Sequence, residues 1–427
     1  MSNLNLIPIG KLFDLEKGSL QSSKCTEGEY TFITAAEEWK TNNEYSHECE
    51  ALIFAAAASG SLGRTHYIND KFITSDLCFI LTPKDSKYPI NLKFYHFVFN
   101  SLKDEIVKNT KSGTSKESIN QSNLRNYEIP YFEIDKQNLW IDKLVNTKSI
   151  KEDLELELSS GQSLLKQLKQ TILQEAIEGK LTEKWRVKNP DIGTAKELLE
   201  QIKTEKEKLI KEKKLKASKP LAPINEDEIP FDIPSSWEWC RFGNIVEHNA
   251  GKTLDRGRNK GLAQKYITTS NLYWGYFILD DLKEMLIDES ELSKCTVQKG
   301  DLLVCEGGEA GRSAVWENDE TICIQNHIHR VRPYQNINTY YLYYYLMKIF
   351  LTGEIDNYRN GMGIKNLSGK SLSTIIIPIA PKEEQKEIVA TIEKLFAICD
   401  ELESEINQNK TTVDNLMATV LKEAFEN

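Results

Sequence analysis

The stretch that decides the fold lies near the end of the chain, at residues 382 to 420: KEEQKEIVATIEKLFAICDELESEINQNKTTVDNLMATV. Its apolar residues recur at alternating steps of four and three, from Ile388 to Val420. This spacing places them along one stripe of an α-helix and is typical of a coiled-coil seam. Asn409 interrupts the stripe, and such a residue either sets the register of a coiled coil or is simply tolerated. A stripe of this length needs a partner to cover it.

A second helical segment carries the same pattern 248 residues earlier, and Gly161 there corresponds to Asn409. Because the two seams share one register, we expect the helices to pair with each other as an antiparallel coiled coil. The alternative is that each helix packs independently on its own domain. The predicted seam residues are Leu154, Leu158, Leu165, Leu168 and Ile172 in the first helix and Leu402, Ile406, Asn409, Val413, Leu416 and Val420 in the second.

The helices belong to a longer internal repeat, which is the feature that sets the architecture. At the same offset, Ser61-Leu62-Gly63-Arg64 matches Glu309-Ala310-Gly311-Arg312, and Ile129-Pro130 matches Ile377-Pro378. Near the start of each half the offset falls to about 234, where Phe32-Ile33-Thr34 pairs with Tyr266-Ile267-Thr268. The second half therefore carries an insertion of about fourteen residues, which we expect between residues 271 and 299.

Each half also contains a globular stretch of mixed character. Short β-type runs such as Leu302 to Cys305 alternate with Gly, Asn and Asp turns and with aromatic, helix-like runs such as Tyr340 to Phe350. We therefore predict an α+β protein with two similar mixed α/β domains, joined by long helices that pair as an antiparallel coiled coil, and with an internal pseudo-twofold repeat. The predicted domains are residues 1–145 and 236–380, a central helical spacer and linker at 146–235, and a distal coiled-coil helix at 381–427.

Composition limits the classes of function. The formal net charge is −10, and residues 381–427 hold 5 basic against 11 acidic side chains. This balance argues against indiscriminate binding of polyanions, but it leaves room for a local basic groove. The sequence contains no run of about 18 apolar residues and so predicts no membrane span. The eight cysteines are scattered without zinc-ligand spacing. We expect a cytoplasmic protein with reduced thiols and no membrane association.

The usual catalytic and cofactor motifs fail on inspection. Gly251-Lys252-Thr253 and Gly369-Lys370-Ser371 lack the upstream glycine with which a P-loop wraps a phosphate. There is no Asn/Asp-Pro-Pro-aromatic loop of an adenine methyltransferase, and no Gly-x-Ser-x-Gly nucleophile elbow. The only close histidine pair, His327 and His329, has no further metal ligands nearby in the sequence, so we expect structural or surface roles. We predict no catalytic residue, no metal site and no cofactor in this chain.

What remains are basic and amide side chains on turns, which can reach phosphates or base edges of DNA. The repeated Gly-Arg turns each present an arginine at a strand end, although these arginines could equally brace their domain through a carboxylate. Other candidates lie in the loop at residues 252–260 and in the corresponding polar segments 108–123 and 359–366, for which solvated loops are the alternative. The candidate DNA-binding residues are Arg64, Lys111, Lys116, Asn123, Lys252, Arg256, Arg258, Lys260, Arg312, Arg359, Lys365 and Asn366.

The layout resembles the specificity subunit of type I restriction-modification enzymes. The resemblance covers essentially the full length. It is carried by residues 368–389, SGKSLSTIIIPIAPKEEQKEIV, by residues 168–182, LKQTILQEAIEGKLT, and by residues 233–239, IPSSWEW.

The resemblance implies a non-catalytic reader of double-stranded DNA, in which each half is a target recognition domain for one part of a split asymmetric site and the helices set the gap. It further implies two methyltransferase subunits and two translocating nuclease subunits as partners, and it assigns S-adenosylmethionine, ATP and magnesium to those partners. The function implied is DNA methylation and defence against foreign DNA. Two alternatives stay open: the specificity subunit of a methylation-only or other restriction system, and a coiled-coil scaffold or phage-defence adaptor that does not read DNA.

Overall fold

A computed structural model describes residues 5–57, 60–84, 87–113, 117–217, 219–255, 257, 259–361 and 365–426, with side chains of the last helix to residue 423. The chain forms two compact units. Unit 1 contains Met1–Gly161 and Glu405–Asn427, and unit 2 contains Gln162–Ser404. Each unit thus combines one globular half with part of both long helices.

Unit 1 is built on a six-stranded sheet. The strands of unit 1, six of which form this sheet, are β1 (Leu6–Pro8), β2 (Phe13–Lys17), β3 (Tyr30–Ile33), β4 (Lys40–Asn42), β5 (His47–Ala55), β6 (Thr65–Thr74), β7 (Cys78–Pro83), β8 (Lys111–Ser112), β9 (Ser118–Ile119) and β10 (Glu128–Pro130). The sheet order is β2-β7-β5-β6-β3-β4, in which β3 and β6 pair in parallel and the other neighbouring strands pair antiparallel. β1 pairs with β10, and β8 pairs with β9.

Helices cover one face of this sheet and complete the core of unit 1. They are α1 (Ile9–Leu12), α2 (Leu92–Ser101), α3 (Lys103–Thr110), α4 (Gln121–Asn126) and the long α5 (Ile134–Ile177). Aromatic side chains dominate the contact, because Phe13 meets Tyr95 and Phe99 edge to face with ring centroids 5.5 and 5.7 Å apart. Trp140 of α5 is buried in the hydrophobic core that contains these three rings.

Unit 2 repeats the mixed character with two four-stranded sheets. Its strands are β11 (Glu238–Arg241), β12 (Val246–Ala250), β13 (Leu262–Ile267), β14 (Lys283–Ile287), β15 (Thr296–Val297), β16 (Leu302–Cys305), β17 (Ser313–Val315), β18 (Ile322–Ile324), β19 (Ile328–Pro333) and β20 (Ile376–Ile379). The sheet orders are β12-β19-β16-β17 and β14-β13-β18-β15, and β11 pairs with β20. β14, together with the helix that follows it, lies in the span where the sequence predicted the insertion.

The helices of unit 2 include the most aromatic one in the chain. They are α6 (Glu183–Lys188), α7 (Ala195–Lys211), α8 (Phe242–Ile245), α9 (Glu289–Cys295), α10 (Thr339–Leu351), α11 (Gly369–Thr374) and the long α12 (Lys382–Glu426). In α10, Tyr341 is fully buried and donates its hydroxyl to the Pro378 carbonyl at 2.7 Å. The predicted aromatic helix and the predicted strand at 302–305 are confirmed.

The internal repeat reappears as matching hydrogen bonds in the two units. Gln137 in unit 1 donates to the Phe132 carbonyl and accepts from the backbone N–H of Asn91. Gln385 in unit 2 donates to the Ala380 carbonyl and accepts from the backbone N–H of Asn338. Both asparagines cap the aromatic helix of their unit, α2 or α10. The similarity of the two halves therefore extends to buried polar contacts that orient each long helix at its start.

Within each unit, α5 and α12 run antiparallel, as predicted. In unit 1, Lys143 pairs with Glu423 at 2.8 Å, and a Cβ placed on Gly161 would lie 3.5 Å from Ile406. In unit 2, Lys169 pairs with Asp400 at 2.9 Å and with Glu403 at 2.8 Å. Residues with higher numbers in α5 therefore contact residues with lower numbers in α12, as antiparallel helices require.

Burial of the predicted seam is uneven. Leu165, Ile172, Val413 and Val420 are buried, whereas Leu154, Leu158, Ile406 and Leu416 are half-buried and Leu168, Leu402 and Asn409 are exposed. Two helices alone cover a narrow stripe, and Val420 is buried where it also packs in the hydrophobic core of unit 1. Because Asn409 is exposed, the structure gives no support to its role as a buried register device.

Two segments between the halves pack on unit 2: the highly charged helix α7 and the proline-rich stretch that contains Ala222 and Pro223. Thr194 forms a capping box with Glu197 at the start of α7, and Leu198 and Ile202 of α7 are buried. Arg241 of β11 donates to two carbonyls of the proline-rich stretch, those of Ala222 and Pro223. The segment is therefore held along the domain by a buried guanidinium.

Two further properties concern the chain as a whole. All eight cysteines are free thiols. Across the described part of the chain, no helix combines the length and the apolar character that crossing a bilayer requires.

Candidate nucleic-acid interface

The arginine turn of unit 1, Ser61–Arg64, is held from within its own domain. Arg64 donates through Nη1 to the Ala35 carbonyl at 3.3 Å and to Ser61 Oγ at 3.2 Å. Its Nη2 lies 3.9 Å from a carboxylate oxygen of Glu37. Gly63 has φ +79°, and a Cβ there would lie 2.6 Å from Val107, so the turn requires glycine. Arg64 is thus positioned as a brace for the turn and for the loop after β3.

The arginine turn of unit 2, Glu309–Arg312, has the same construction. Arg312 donates through Nη2 to the Thr269 carbonyl at 2.6 Å and through Nη1 to Glu309 at 2.9 Å. Thr269 corresponds to Ala35 at the offset of 234, so the repeated arginines hold equivalent carbonyls. The guanidinium also lies over the Tyr273 ring, 5.2 Å from its centroid. These contacts favour the bracing alternative for both arginines, and DNA contact stays a prediction.

Arg359 joins the arginine turn of unit 2 to the segment that precedes α11. Its Nε donates to the Ala310 carbonyl at 3.0 Å, with Nη2 donating to the same oxygen, and its Nη1 donates to Asp356 at 2.8 Å. Lys365 reaches the other oxygen of Asp356 at 2.7 Å. Asn366 is exposed and forms a two-way backbone bridge with Asn360. The structure therefore brings Arg312, Arg359, Lys365 and Asn366 together on one part of unit 2.

The loop that contains Lys252 contributes differently from what its sequence suggests. Lys252 donates to both carboxylate oxygens of Glu291 at 2.6 Å, a partner supplied by helix α9 in the inserted region. Lys260 is exposed. Arg256 and Arg258 lie outside the described residues. The cationic character of this loop is thus reduced at Lys252 by an internal ion pair.

The corresponding polar segment of unit 1 has one ion pair and one amide anchor. Lys111 pairs with Glu117 at 2.7 Å across the short β8–β9 hairpin. Asn123 donates its side-chain amide to the Thr110 carbonyl at 3.0 Å. Lys116 lies outside the described residues. Unit 1 therefore does not bring Lys111 and Arg64 into any direct contact that its described residues record.

Exposure separates the candidate cations into two groups. The side chains of Arg312 and Arg359 are 16% and 14% exposed, whereas those of Lys111 and Lys365 are 40% and 55% exposed. An exposed lysine pair contributes little to stability, so its carboxylate can be exchanged for a phosphate at low cost. A desolvated arginine that holds two loops cannot be released so easily. The lysines are therefore the better candidates for phosphate contacts.

Below this surface of unit 2 lies a pair of histidines. His329 of β19 is buried, with Nε2 3.6 Å from a Glu306 carboxylate oxygen, and its ring meets His248 edge to face at 5.8 Å. Burial lowers the pKa of His329 to about 4, and burial likewise lowers the pKa of His248. His327 precedes the strand and is exposed. The described ranges contain no group of three or more His, Cys, Asp or Glu side chains that could hold a metal ion.

The sequence analysis missed an aromatic feature beside Arg312. Tyr273 and Tyr276 stack with ring centroids 5.1 Å apart and an interplanar angle of 10°. The signal available in the sequence was the run Tyr273-Trp274-Gly275-Tyr276-Phe277 at the start of the predicted insertion. A cluster of aromatic residues is more often core than surface, and only the structure reveals that one of these rings faces solvent.

Comparison with known proteins identifies the relatives of this chain. The sequence model of the family described as "Type I restriction modification DNA specificity domain" matches residues 1–159 and 234–409. The specificity subunit of the Escherichia coli type I restriction enzyme EcoAI is 29% identical over 254 residues, a match that covers 57% of this chain and 42% of the relative. The EcoDI specificity subunit of Escherichia coli is 23% identical over 428 residues, covering 98% of this chain and 87% of the relative.

Solved structures show the same fold. A chain from a study of complex assembly and conformational transition of the type I R-M system superposes with a TM-score of 0.70 at 14% identity, covering 100% of this chain and 98% of the other. The HsdS subunit from Thermoanaerobacter tengcongensis superposes with a TM-score of 0.57 at 15% identity, covering 100% and 97%. The chain spans less than half the length of the EcoAI subunit but nearly the full length of these structures.

Proposed function

Because the chain belongs to the family of type I restriction modification DNA specificity domains, we propose that it is the DNA-reading subunit of a type I restriction-modification enzyme. In this role it directs methyltransferase and restriction subunits to a bipartite asymmetric DNA site. The single observation that carries the proposal is the double family match, which covers each half of the chain separately.

The two recognition domains read different parts of the site. The arginine turns and the helix-capping contacts recur in both units, so the two domains share a framework. The side chains on that framework differ at equivalent positions, as Glu117 and Lys365 or Ser61 and Glu309 illustrate at the offset of 248. A shared framework with different surface side chains suits a protein that reads two unlike half-sites.

The chain supplies specificity, and its partners supply catalysis. Two methyltransferase subunits use S-adenosylmethionine to methylate adenine N6 within the site, and two ATP- and magnesium-dependent translocating nuclease subunits join for restriction. Double-stranded DNA in the cytoplasm is the substrate of the assembled complex.

Binding draws part of its energy from release of counterions around the DNA phosphates, and the slope of affinity against salt reports the number of contacts. Exposed lysines such as Lys260 and Lys365, with the sequence-predicted Arg256 and Arg258, provide these contacts. Charge reversal of Arg256 and Arg258 together should weaken DNA binding by the assembled complex and reduce its salt slope. An unchanged slope would remove this loop from the interface.

The decisive experiment is single-molecule sequencing of modified adenines in host DNA with and without this gene. Loss of one split methylated motif on deletion is the expected result. If the expressed system leaves every methylated motif unchanged, purified complexes should be tested for DNA retention. A complex that retains no DNA would overturn the proposal.

A further inference from the structure

An exposed aromatic ring stands beside the arginine turn of unit 2. Tyr276 is 55% exposed, although its ring stacks on Tyr273, and the Arg312 guanidinium lies over Tyr273. The neighbouring Ile278 is 42% exposed. Leaving such apolar surface in water is unfavourable, and a cluster of it beside charged groups commonly marks a binding surface.

The loop that carries this ring, residues 268–278, is held in one conformation by its own hydrogen bonds. Asn271 accepts from the Thr268 N–H at 2.9 Å and donates its side-chain amide to the Ile278 carbonyl at 3.1 Å. The Tyr273 N–H donates to the Tyr276 carbonyl at 2.9 Å, across a turn that contains Gly275 at φ +79°. The loop thus presents Tyr276 without paying much conformational entropy on binding.

Anchors below the loop complete its rigidity. The Gly275 N–H donates to the Ser313 carbonyl at 3.1 Å, immediately after the arginine turn. The ring of Trp274, in the same loop, packs against the ring of Phe350 in α10, with ring centroids 4.9 Å apart. The aromatic loop and the arginine turn therefore form one rigid element of unit 2.

Unit 1 has a related arrangement. Trp39 is 40% exposed in the loop after β3, four residues beyond the Ala35 carbonyl that Arg64 holds. Tyr273 lies four residues beyond the Thr269 carbonyl that Arg312 holds. Each recognition domain thus places an aromatic side chain in the loop that its repeated arginine supports, and the second domain adds Tyr276 through its longer loop.

We infer that Tyr276, supported by Tyr273 and Arg312, contacts duplex DNA by stacking its ring against a base or base step rather than by a hydrogen bond to a base edge. The inference rests on the proposed function, because the ligand is the DNA that unit 2 reads. Two features favour DNA over a protein partner. The arginine turn beside the loop is joined through Arg359 and Asp356 to the exposed Lys365, and Arg312 supplies a cation next to the stack.

A stacked Tyr276 would contribute to recognition of the DNA site through the ease with which a base step deforms. An aromatic ring stacks on any base and is therefore tolerant of sequence. A ring that wedges at a base step needs that step to unstack, and pyrimidine–purine steps do so most easily. Tyr276 would thus favour deformable steps at its contact point, in addition to the hydrogen-bonded readout elsewhere.

The test uses the full chain assembled with its methyltransferase subunits and duplexes that carry the methylated motif found in the host. Tyr276→Ala should weaken binding about tenfold, equivalent to about 1.4 kcal/mol, whereas Tyr276→Phe should bind as the wild type. Duplexes with 2-aminopurine scanned through the half-site of unit 2 should show one position whose fluorescence rises with the wild type and with Tyr276→Phe but not with Tyr276→Ala. Val187→Ala, which truncates an exposed apolar residue of α6, is the control and should change neither readout.

Other outcomes separate this inference from the proposed function. Specific binding by the wild-type complex with no effect of Tyr276→Ala on affinity or fluorescence would overturn the stacking contact and leave the proposed function intact. If Tyr276→Ala instead reduces assembly with the methyltransferase subunits while the assembled fraction binds DNA normally, the loop is a protein-docking element and the inference is wrong. Absence of specific DNA binding by the wild-type complex would count against both.

Discussion

The indole N–H of Trp237 donates a 2.9 Å hydrogen bond to the buried carboxylate of Glu384, although 147 residues separate the two in sequence. The other carboxylate oxygen accepts from Thr182 at 2.8 Å and from Arg186. Glu384 stands in the first turn of α12, Thr182 follows α5, and Trp237 begins the second globular half. One buried carboxylate therefore connects three segments of unit 2, and these are the segments that carry the resemblance to specificity subunits.

Glu384→Gln should destabilise unit 2 by about 3 kcal/mol, because it removes a fully buried charge and leaves the half-buried Arg186 guanidinium without its counter-charge. The free energy of unfolding from urea titration measures the effect. Glu383→Gln is the matched control, since Glu383 makes only an exposed pair with Lys386 and should cost less than about 0.5 kcal/mol. Equal stabilities of the two variants would contradict the role of Glu384.

Gly311→Ala should destabilise the arginine turn of unit 2 by about 3 kcal/mol, from backbone strain and overpacking together. Gly311 has φ +96°, and a Cβ there would lie 2.2 Å from Cδ1 of Ile355. Ile355→Val removes that atom, so the double variant should lose less stability than the sum of the single variants.

Gly308→Ala separates the two causes of this loss. Gly308 has φ +70° but open space around a new Cβ, so it should lose only about 1 kcal/mol. Thermal and urea unfolding of all four variants would check the comparison. Additive losses in the Gly311 and Ile355 double variant would show that the steric contact is unimportant.

Acidification should destabilise unit 2 through His329. The pKa of His329 is about 4 in the folded chain, below the ordinary value of 6.5. Between pH 6.5 and pH 4 the imidazole therefore binds a proton in the unfolded chain but not in the folded chain. The free energy of unfolding should fall as pH falls from about 7 to 5, with His329 responsible for about 2 kcal/mol.

Substitution of the two neighbouring histidines tests this assignment. His329→Asn should reduce the fall in the free energy of unfolding between pH 7 and 5, whereas His327→Asn, at an exposed position, should leave that fall as it is in the wild type. The measurement is urea unfolding at a series of pH values. If both variants keep the slope of the wild type, His329 is not the titrating group.

Lys365→Met should weaken DNA binding by the assembled complex and lower the salt slope by about 1, because one phosphate contact is lost. The stability of unit 2 should hardly change, since the pair with Asp356 is exposed. Lys386→Met, an exposed lysine of α12, is the control and should leave the slope as it is. A salt slope for Lys365→Met equal to that of the control would assign Lys365 to the solvated surface.

The part of the fold that depends on local periodicity could be predicted from the sequence. The four-three spacing from Ile388 to Val420 predicts α12, and the helix occupies Lys382–Glu426. The antiparallel pairing followed from the equal register of two seams. Burial along the seam could not be predicted, because Leu165 and Leu168 share the pattern but only Leu165 is buried.

The candidate interface shows the same division. The sequence determined by itself that the chain repeats, that its halves are mixed α/β domains, and that basic and amide side chains occupy corresponding turns. Only the tertiary structure decided which of those cations already have a partner: Lys252 pairs with Glu291, 39 residues away, and Arg312 donates to a carbonyl 43 residues away. The reason is physical, since periodicity and turn chemistry depend on near neighbours, whereas the partner of a charge and the exposure of a ring such as Tyr276 depend on segments that meet only after folding.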